Sequence, residues 1–460
     1  MTGPAAWSAL LFAAGPALCA GPREPPPAPF PIENHANSED VVAIEVLGDS
    51  ALIGTTGASY RIELPERLDR VEKVRIRGAD APLRKIPPTL EHAGCVYTPE
   101  RRGVEKRCGR GSVVHPVHGF PATSVAVFRG RLLVGTFGGG LRELRAPGRR
   151  LPGFPDVVTA LAATPRLLLV GTRQGLYVFD GLARRRIRRE GPADNNITRV
   201  LKVEDTLWVA TFDKGLSALR DGRWRHWTTE QGLPSDWVDD LHFDGGRLWG
   251  AGHKGLFWIE DGRVAIPEGT VFRNKTSALA GFGGKVYAAQ KGAILVFEDG
   301  EVRTIPIPEE HPQDLHVDAK ALWVAGLAGV YRHDGKRWSH FRSLEGSIPV
   351  DWVTALAPHP EGVIAGTYDG GVLLLDRGKG GVRPLLPRVW VNAGAIAVRG
   401  TTVAVGGMEE GLKLLWKGRW RSLGKKDGLA GDDVSAVAFD GDSLWVGTRS
   451  GLSRIALTGL

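Results

Sequence analysis

Cysteine is scarce in this chain: three residues in 460, at positions 19, 95 and 108. No C-x₂-C pair can be formed from them, which excludes the zinc ribbons and dithiol redox motifs that need that spacing. Long apolar runs are missing too. The one extended run, residues 5–19, is shorter than the roughly 20 residues a membrane-spanning helix requires, and Gly15-Pro16 interrupts it. There is no GxxxxGK[ST] loop to cradle phosphates, no GxSxG nucleophile elbow and no HExxH metal helix. Those absences remove the common nucleotide-dependent, serine-hydrolase and zinc-protease chemistries, and no catalytic residue, cofactor or metal site is expected.

The N-terminal run ends in small residues and gives way to a Pro-rich spacer, the pattern of an export signal over residues 1–20, although no Lys or Arg precedes it. Residues 21–38 then read as a linker that ends in a strand. Lipidation at Cys19 is disfavoured because Leu18, not a small residue, comes before it. With the signal removed, Cys95 and Cys108 remain as a pair, and in an oxidising compartment a pair becomes a disulfide. His92, His115 and His118 lie close enough to suggest a metal site instead. The cysteine spacing and Pro116 between two of the histidines argue against it. An extracytoplasmic protein, periplasmic or secreted, is expected.

What the chain does have is glycine (62) and proline (30), which favour many tight turns over long helices. Its 42% hydrophobic and 24% charged residues suit a packed soluble fold. A net charge of +8 would favour anionic partners, though arginine on a solvated surface is the simpler account.

The dominant feature is repetition. LWVAT at residue 207, LWVAG at 322 and LWVGT at 444 are versions of one element. Aligning on it gives ten anchors: Gly54, Gly135, Gly171, Ala210, Gly250, Ala288, Ala325, Gly366, Gly406 and Gly447. From Gly135 onward they lie 36 to 41 residues apart, the length of a four-stranded propeller blade. Within the unit 194–231, ITRVLKV alternates as a half-buried strand does and LWVAT is almost continuously apolar. A third short strand, an Asp221-Gly222 hairpin and a Trp-bearing outer strand follow. Asp-Gly recurs at 180, 261, 299 and 334. The fold class expected is all-β: a single propeller of about ten four-stranded blades, with eight to ten as the range, over residues 39–460. Residues around Pro29 to Asn34 would add an outer strand to the last blade and clasp the ring. The doubled gap between Gly54 and Gly135 reads as a Cys-containing insertion at about 79–118.

The stretch LWVATFDKGLSALRDGRWRHWTTEQGLPSDWVDDL resembles the two-component-regulator propeller repeat, whose pattern is LWxGTxxGL, then GxW, a Thr, and GLPSxxVxxL. Units beginning LWVAGLAGVYRH and GLKLLWKGRW match it well, and elsewhere only the second-strand core survives. The resemblance spans about residues 41–457 apart from the insertion. It implies a bacterial extracytoplasmic sensor region; within these 460 residues no membrane span or kinase accompanies the repeats.

Chemistry is sparse. HDGKRW at His333 approaches the sialidase Asp box but lacks its Ser, and a hairpin turn explains the Asp-Gly. Asp239-Asp240, Glu409-Glu410 and Asp432-Asp433 are adjacent on strands and should point to opposite faces, unlike a catalytic dyad. The expected ligand surface is the face carrying the loops between second and third strands. These supply Phe137, Arg173, Phe212, Lys214, His253, Lys254, Lys291, Tyr368, Asp369 and Arg449, and the inter-blade loops add Trp237 and Trp352. Cationic and aromatic side chains suit an anionic glycan, a peptide or a partner protein. The run RRRIRR at 184–189 fits an outer strand whose charges block edge pairing, and nucleic acid is not an expected partner. The reading is therefore an exported, monomeric, non-catalytic binding or sensory module. Its rivals are a propeller enzyme, a polysaccharide lyase or hydrolase with acid-base groups at the channel mouth, and a structural surface scaffold.

Overall fold

A computed structural model of the chain describes residues 30–35, 41–55, 59–64, 77–78, 89–117, 119–144, 148–187, 191–376 and 381–457. The expected signal peptide and most of the linker lie outside them. The fold is an all-β propeller: among the described residues ten sheets have four strands and one has three, each antiparallel and nearly all in simple sequential order.

Seven of these sheets close a ring. Their inner strands are Ile197–Val203 (blade I), Val238–Asp244 (II), Thr276–Phe282 (III), Pro312–Val317 (IV), Val353–His359 (V), Val391–Arg399 (VI) and Val434–Asp440 (VII). Each packs on the next, and blade VII packs back on blade I. That last seam buries Ile197, Val200, Val209, Ala436, Trp445 and Leu452 together. A sheet in this setting has both faces covered, so the second strands of blades V, VI and VII are buried at every position.

The repeated Gly-Thr pair has two separate tasks. A Cβ on Gly447 would lie 2.6 Å from Ile197 Cγ2, and one on Gly366 would lie 2.6 Å from Val391 Cγ1. The anchor glycine is therefore the socket for the first inner-strand residue of the next blade. The threonine organises the following turn. Thr211 Oγ1 donates to the Gly215 carbonyl at 2.9 Å and accepts from the Lys214 amide at 3.2 Å. Thr448 does the same with Gly451 and Ser450.

Seams carry a second rule. Thr198, Ser277, Thr354, Asn392 and Ser435 each sit one residue into an inner strand. Each donates to the carbonyl of the first inner-strand residue of the next blade: Val238, Pro312, Val391, Val434 and Ile197 in turn.

The clasp forms as expected. Ile32–His35 pairs antiparallel with Gly451–Ala456 as the outer strand of blade VII. Phe30 is buried against Leu412, Leu423 and Leu457, and Ser453 Oγ donates to Asn34 Oδ1 at 2.6 Å.

The remaining four sheets form a row, and here two expectations change. The 90–115 sheet packs on the 122–143 sheet, that one on the 158–187 sheet, and that one on the sheet begun by Val41–Leu47. The seam rule continues, with Thr123 donating to the Val158 carbonyl at 2.6 Å and Thr159 to the Val41 carbonyl. Among the described residues, none of the three hydrophobic clusters in this row includes a residue of the ring. The blades are thus divided, seven in a ring and four in a row, rather than joined in one circle of about ten. Anchor spacing is uniform across the boundary, and only long-range contacts decide where a circle shuts. The supposed insertion is also a regular unit: Leu90–His92, Cys95–Glu100, Gly103–Cys108 and Gly111–His115 make a four-stranded sheet. Cys95 lies opposite Cys108 and the two are joined by a disulfide, so neither thiol is available to a metal.

The Asp-Gly turns also differ among themselves. Asp221-Gly222, Asp261-Gly262 and Asp299-Gly300 have positive φ at both residues, as a type I′ hairpin needs. At 180 and 334 only the glycine does. There the aspartate side chain closes a longer turn by accepting from the amides two and three residues on. Arg184–Ile187 is an outer strand, as its charge pattern suggested.

Candidate functional site

The ring's centre is filled by three charged side chains at one repeated position. Just past the inner-strand bulge, blades III, V and VII carry Ala278, Ala355 and Ala436, whereas blades I, II and IV carry Arg199, Asp240 and Asp314. Arg199 Nε pairs with Asp240 Oδ1, its Nη1 donates to the Gly394 carbonyl at 2.5 Å, and its Nη2 lies 3.8 Å from Asp314 Oδ1. Asp240 accepts from the Leu241 and Leu279 amides, both at 2.7 Å. Asp314 accepts from Leu315 at 2.9 Å and Leu356 at 2.7 Å. One buried network thereby touches blades I to VI. Burial works against the Arg199 charge, but Asp240 and Asp314 more than offset it, so the guanidinium titrates above its ordinary range. Burial pushes Asp314 up to about 7, with Arg199 opposing the shift.

Arg199 is the floor of a pocket of about 580 Å³ on the face that carries the loops between second and third strands. Side chains from six blades line it: Asn196 and Phe212 from I, Asp239 from II, Lys275 and Lys291 from III, His311 and Gln313 from IV, Asn392 from VI and Arg449 from VII. Two cations are tied to the wall, Lys291 to Glu310 at 3.2 Å and Arg449 to Asp433 at 2.7 Å. Asp433 also accepts from the Asn392 amide at 2.7 Å. Asp239 Oδ1 accepts from the Trp237 indole at 2.6 Å, while its Oδ2 is buried with no hydrogen-bond partner among the described residues. Burial raises the Asp239 pKa, with the Trp237 bond and Lys275 opposing. The wall thus offers donors, acceptors and charges of both signs.

Two groups of aromatic rings lie in the loops of this face, and the first reaches the pocket through Phe212. Trp237 is sandwiched between His253, stacked at 5.1 Å, and Phe212, tilted at 4.3 Å. Trp352 stacks on Tyr368 at 4.0 Å, and Tyr368 meets Trp390 at 5.3 Å. Trp352 is 39% and Trp390 46% exposed.

Of the residues expected at the ligand face, Phe212, Lys291 and Arg449 line the pocket. Trp237, His253, Trp352 and Tyr368 form the adjoining stacks. Lys214, Lys254 and Asp369 lie in the same class of loop without lining the pocket. Phe137 and Arg173 are together, with the guanidinium 5.2 Å from the ring centre, but on the four-sheet row. In the sequence Asp239 and Asp240 figure only as a carboxylate pair unsuited to a dyad, and Arg199, Asp314, Lys275, Asn392 and Trp390 are not among the expected site residues. The signal for the three plug residues is visible once the repeats are aligned: charge where other blades have alanine. Asp239 and Asp240 do diverge as adjacent strand residues should, one into the mouth and one into the plug.

No protein-family model matches the chain, and no curated protein sequence matches it. Among solved structures it is similar to PorZ, a bacterial surface component of the type-IX secretion system of Porphyromonas gingivalis. That likeness has a TM-score of 0.61 and 14% identity, covering 90% of this chain and 68% of that one. The extracellular domain of a putative one component system of B. thetaiotaomicron follows with a TM-score of 0.49 and 13% identity, over 92% and 71% of the two chains. The WD40 propeller domain of Doa1 has a TM-score of 0.46 and 14% identity over 58% and 94%. At these identities the likeness to PorZ is one of fold. Among the described residues, no helix is long and apolar enough to cross a membrane.

Proposed function

We propose that the chain is an extracytoplasmic, non-catalytic binding module of the two-component-regulator propeller type, whose ligand seats at the mouth of the seven-blade ring. The observation that carries this reading is a pocket of about 580 Å³, lined from six blades and floored by the partly buried Arg199. A loop from one blade offers little area, but a closed ring converges many of them on one volume. The wall chemistry and flanking rings suit a glycan or a short peptide better than a purely apolar ligand. Extracytoplasmic placement is supported by the export-type leader, by the Cys95–Cys108 disulfide and by the surface location named for PorZ. The repeat motif LWVATFDKGL…GLPSDWV supports the family assignment.

The test is to screen the protein on defined oligosaccharide and peptide arrays, alongside a Lys291→Glu/Arg449→Glu variant. Retention of a ligand by the wild type and its loss in the variant supports the reading. Ligand retention untouched by both reversals would place the site elsewhere.

A further inference from the structure

Asp239 breaks the seam rule of the ring. Five blades place a donor one residue into the inner strand, and that donor bonds the next blade's first carbonyl. Blade IV has Gln313 at this position, whose amide donates to the His311 carbonyl at 3.3 Å instead of across the seam. Blade II has a carboxylate, which when ionised only accepts. That seam bond is absent, and the hydrogen bond across this seam is made by the next residue, Asp240, which accepts from the Leu279 amide of blade III at 2.7 Å.

What the carboxylate has instead is a defined setting at the mouth. The Trp237 indole holds Oδ1, while Oδ2 is buried with no hydrogen-bond partner among the described residues. An unpaired buried acceptor costs free energy that a ligand donor can recover. Trp237 also contacts Phe212, which lines the same pocket and is 40% exposed, so an apolar face and the acceptor belong to one cluster. The charges nearby decide what kind of donor fits. Lys275 and His253 both act on Asp239, and Arg199 lies on the pocket floor. A protonated amine would meet the cationic Lys275 and Arg199, whereas a neutral hydroxyl carries no charge for them to repel. Sugars combine neutral hydroxyls with C–H faces that pack on rings such as Phe212.

We propose that Asp239 is the specificity-determining residue of the mouth, accepting hydrogen bonds from hydroxyl groups of a saccharide that packs against Phe212. This rests on the mouth being a ligand site, and the experiment separates the two ideas. Oligosaccharides retained on the array are titrated by calorimetry into the full chain and into Asp239→Thr, Asp239→Asn and Lys291→Glu/Arg449→Glu. The threonine variant restores the residue type that Thr198 and Thr354 use at their seams, so its melting temperature should match or exceed the wild type. The expected result is saccharide affinity reduced roughly ten- to hundredfold in both Asp239 variants. Saccharide binding unchanged in Asp239→Thr but lost in the double charge reversal would overturn the role of Asp239 and leave the mouth as the site. Wild type that ignores saccharides but retains peptides with a free amino terminus, dependent on Asp239, would overturn the hydroxyl assignment. Failure to retain any array ligand would overturn both.

Discussion

Ser435, in the last blade, donates its hydroxyl to the backbone carbonyl of Ile197, 238 positions earlier. It is the same bond that Thr198 makes to Val238 and Thr354 to Val391, so the closing seam is built like the others. Gly447 completes it, because a Cβ there would sit 2.6 Å from Ile197 Cγ2. Gly447→Val should destabilise the ring by about 1–3 kcal/mol through overpacking. Gly171→Val, in contact with Val41, should leave ring unfolding unchanged and affect the four-sheet row. Scanning calorimetry of both variants, with hydrogen exchange to assign each transition, checks this.

The plug makes a second prediction. Removing one member of a buried ion network leaves the others uncompensated, so Arg199→Ala should cost about 3–5 kcal/mol. Replacing all three charges, as Arg199→Ala/Asp240→Ala/Asp314→Ala, copies the alanine that blades III, V and VII already carry. That variant should be more stable than the single one in urea denaturation, a non-additivity that independent contacts would not show.

The plug should also be visible in pH dependence. The folded-state pKa of Asp314 is about 7 against an ordinary 3.8. Between those values the folded chain holds a proton that the unfolded chain has released, so stability falls as pH rises through the window. The slope is at most about 1.4 kcal/mol per pH unit. His242 acts in the opposite sense, since burial lowers its pKa and acid then favours the unfolded chain. Asp314→Asn should therefore remove the loss of stability toward pH 7 while leaving the acid limb in place. Denaturation midpoints from pH 4 to 8 measure it.

Reduction of the Cys95–Cys108 disulfide should loosen the 90–115 sheet without touching the ring, because its packing cluster contains only residues of the row. Hydrogen exchange with and without reductant should show faster exchange in Cys95–Glu100 and Gly103–Cys108, and none in Ile197–Val203.

Much of this architecture is legible in the residues alone. Leu-Trp-Val-Gly-Thr marks the second strand because two covered faces, a socket glycine and a turn-forming threonine must fall in that order. What the repeats conceal is closure, since the seam from Ser435 could reach Ile197 or Val41 without any change in spacing. The 90–115 sheet is hard to see in the sequence because its strands lack the repeat core and bury few of their residues. At the site, loop residues such as Phe212 and Arg449 were accessible to reasoning from topology. Asp239 and Asn392 were not, because their importance depends on which seam partner each does or does not find.

Placing a photo-crosslinking amino acid at the exposed position Arg449 tests the central claim most directly. Arg449 and Asn196 line one pocket only if blade VII meets blade I. Mass spectrometry should map the adduct to residues 191–199. An adduct at residues 41–45 instead would mean that the last blade closes on the first described sheet, and the seven-blade ring with its mouth and plug would not exist.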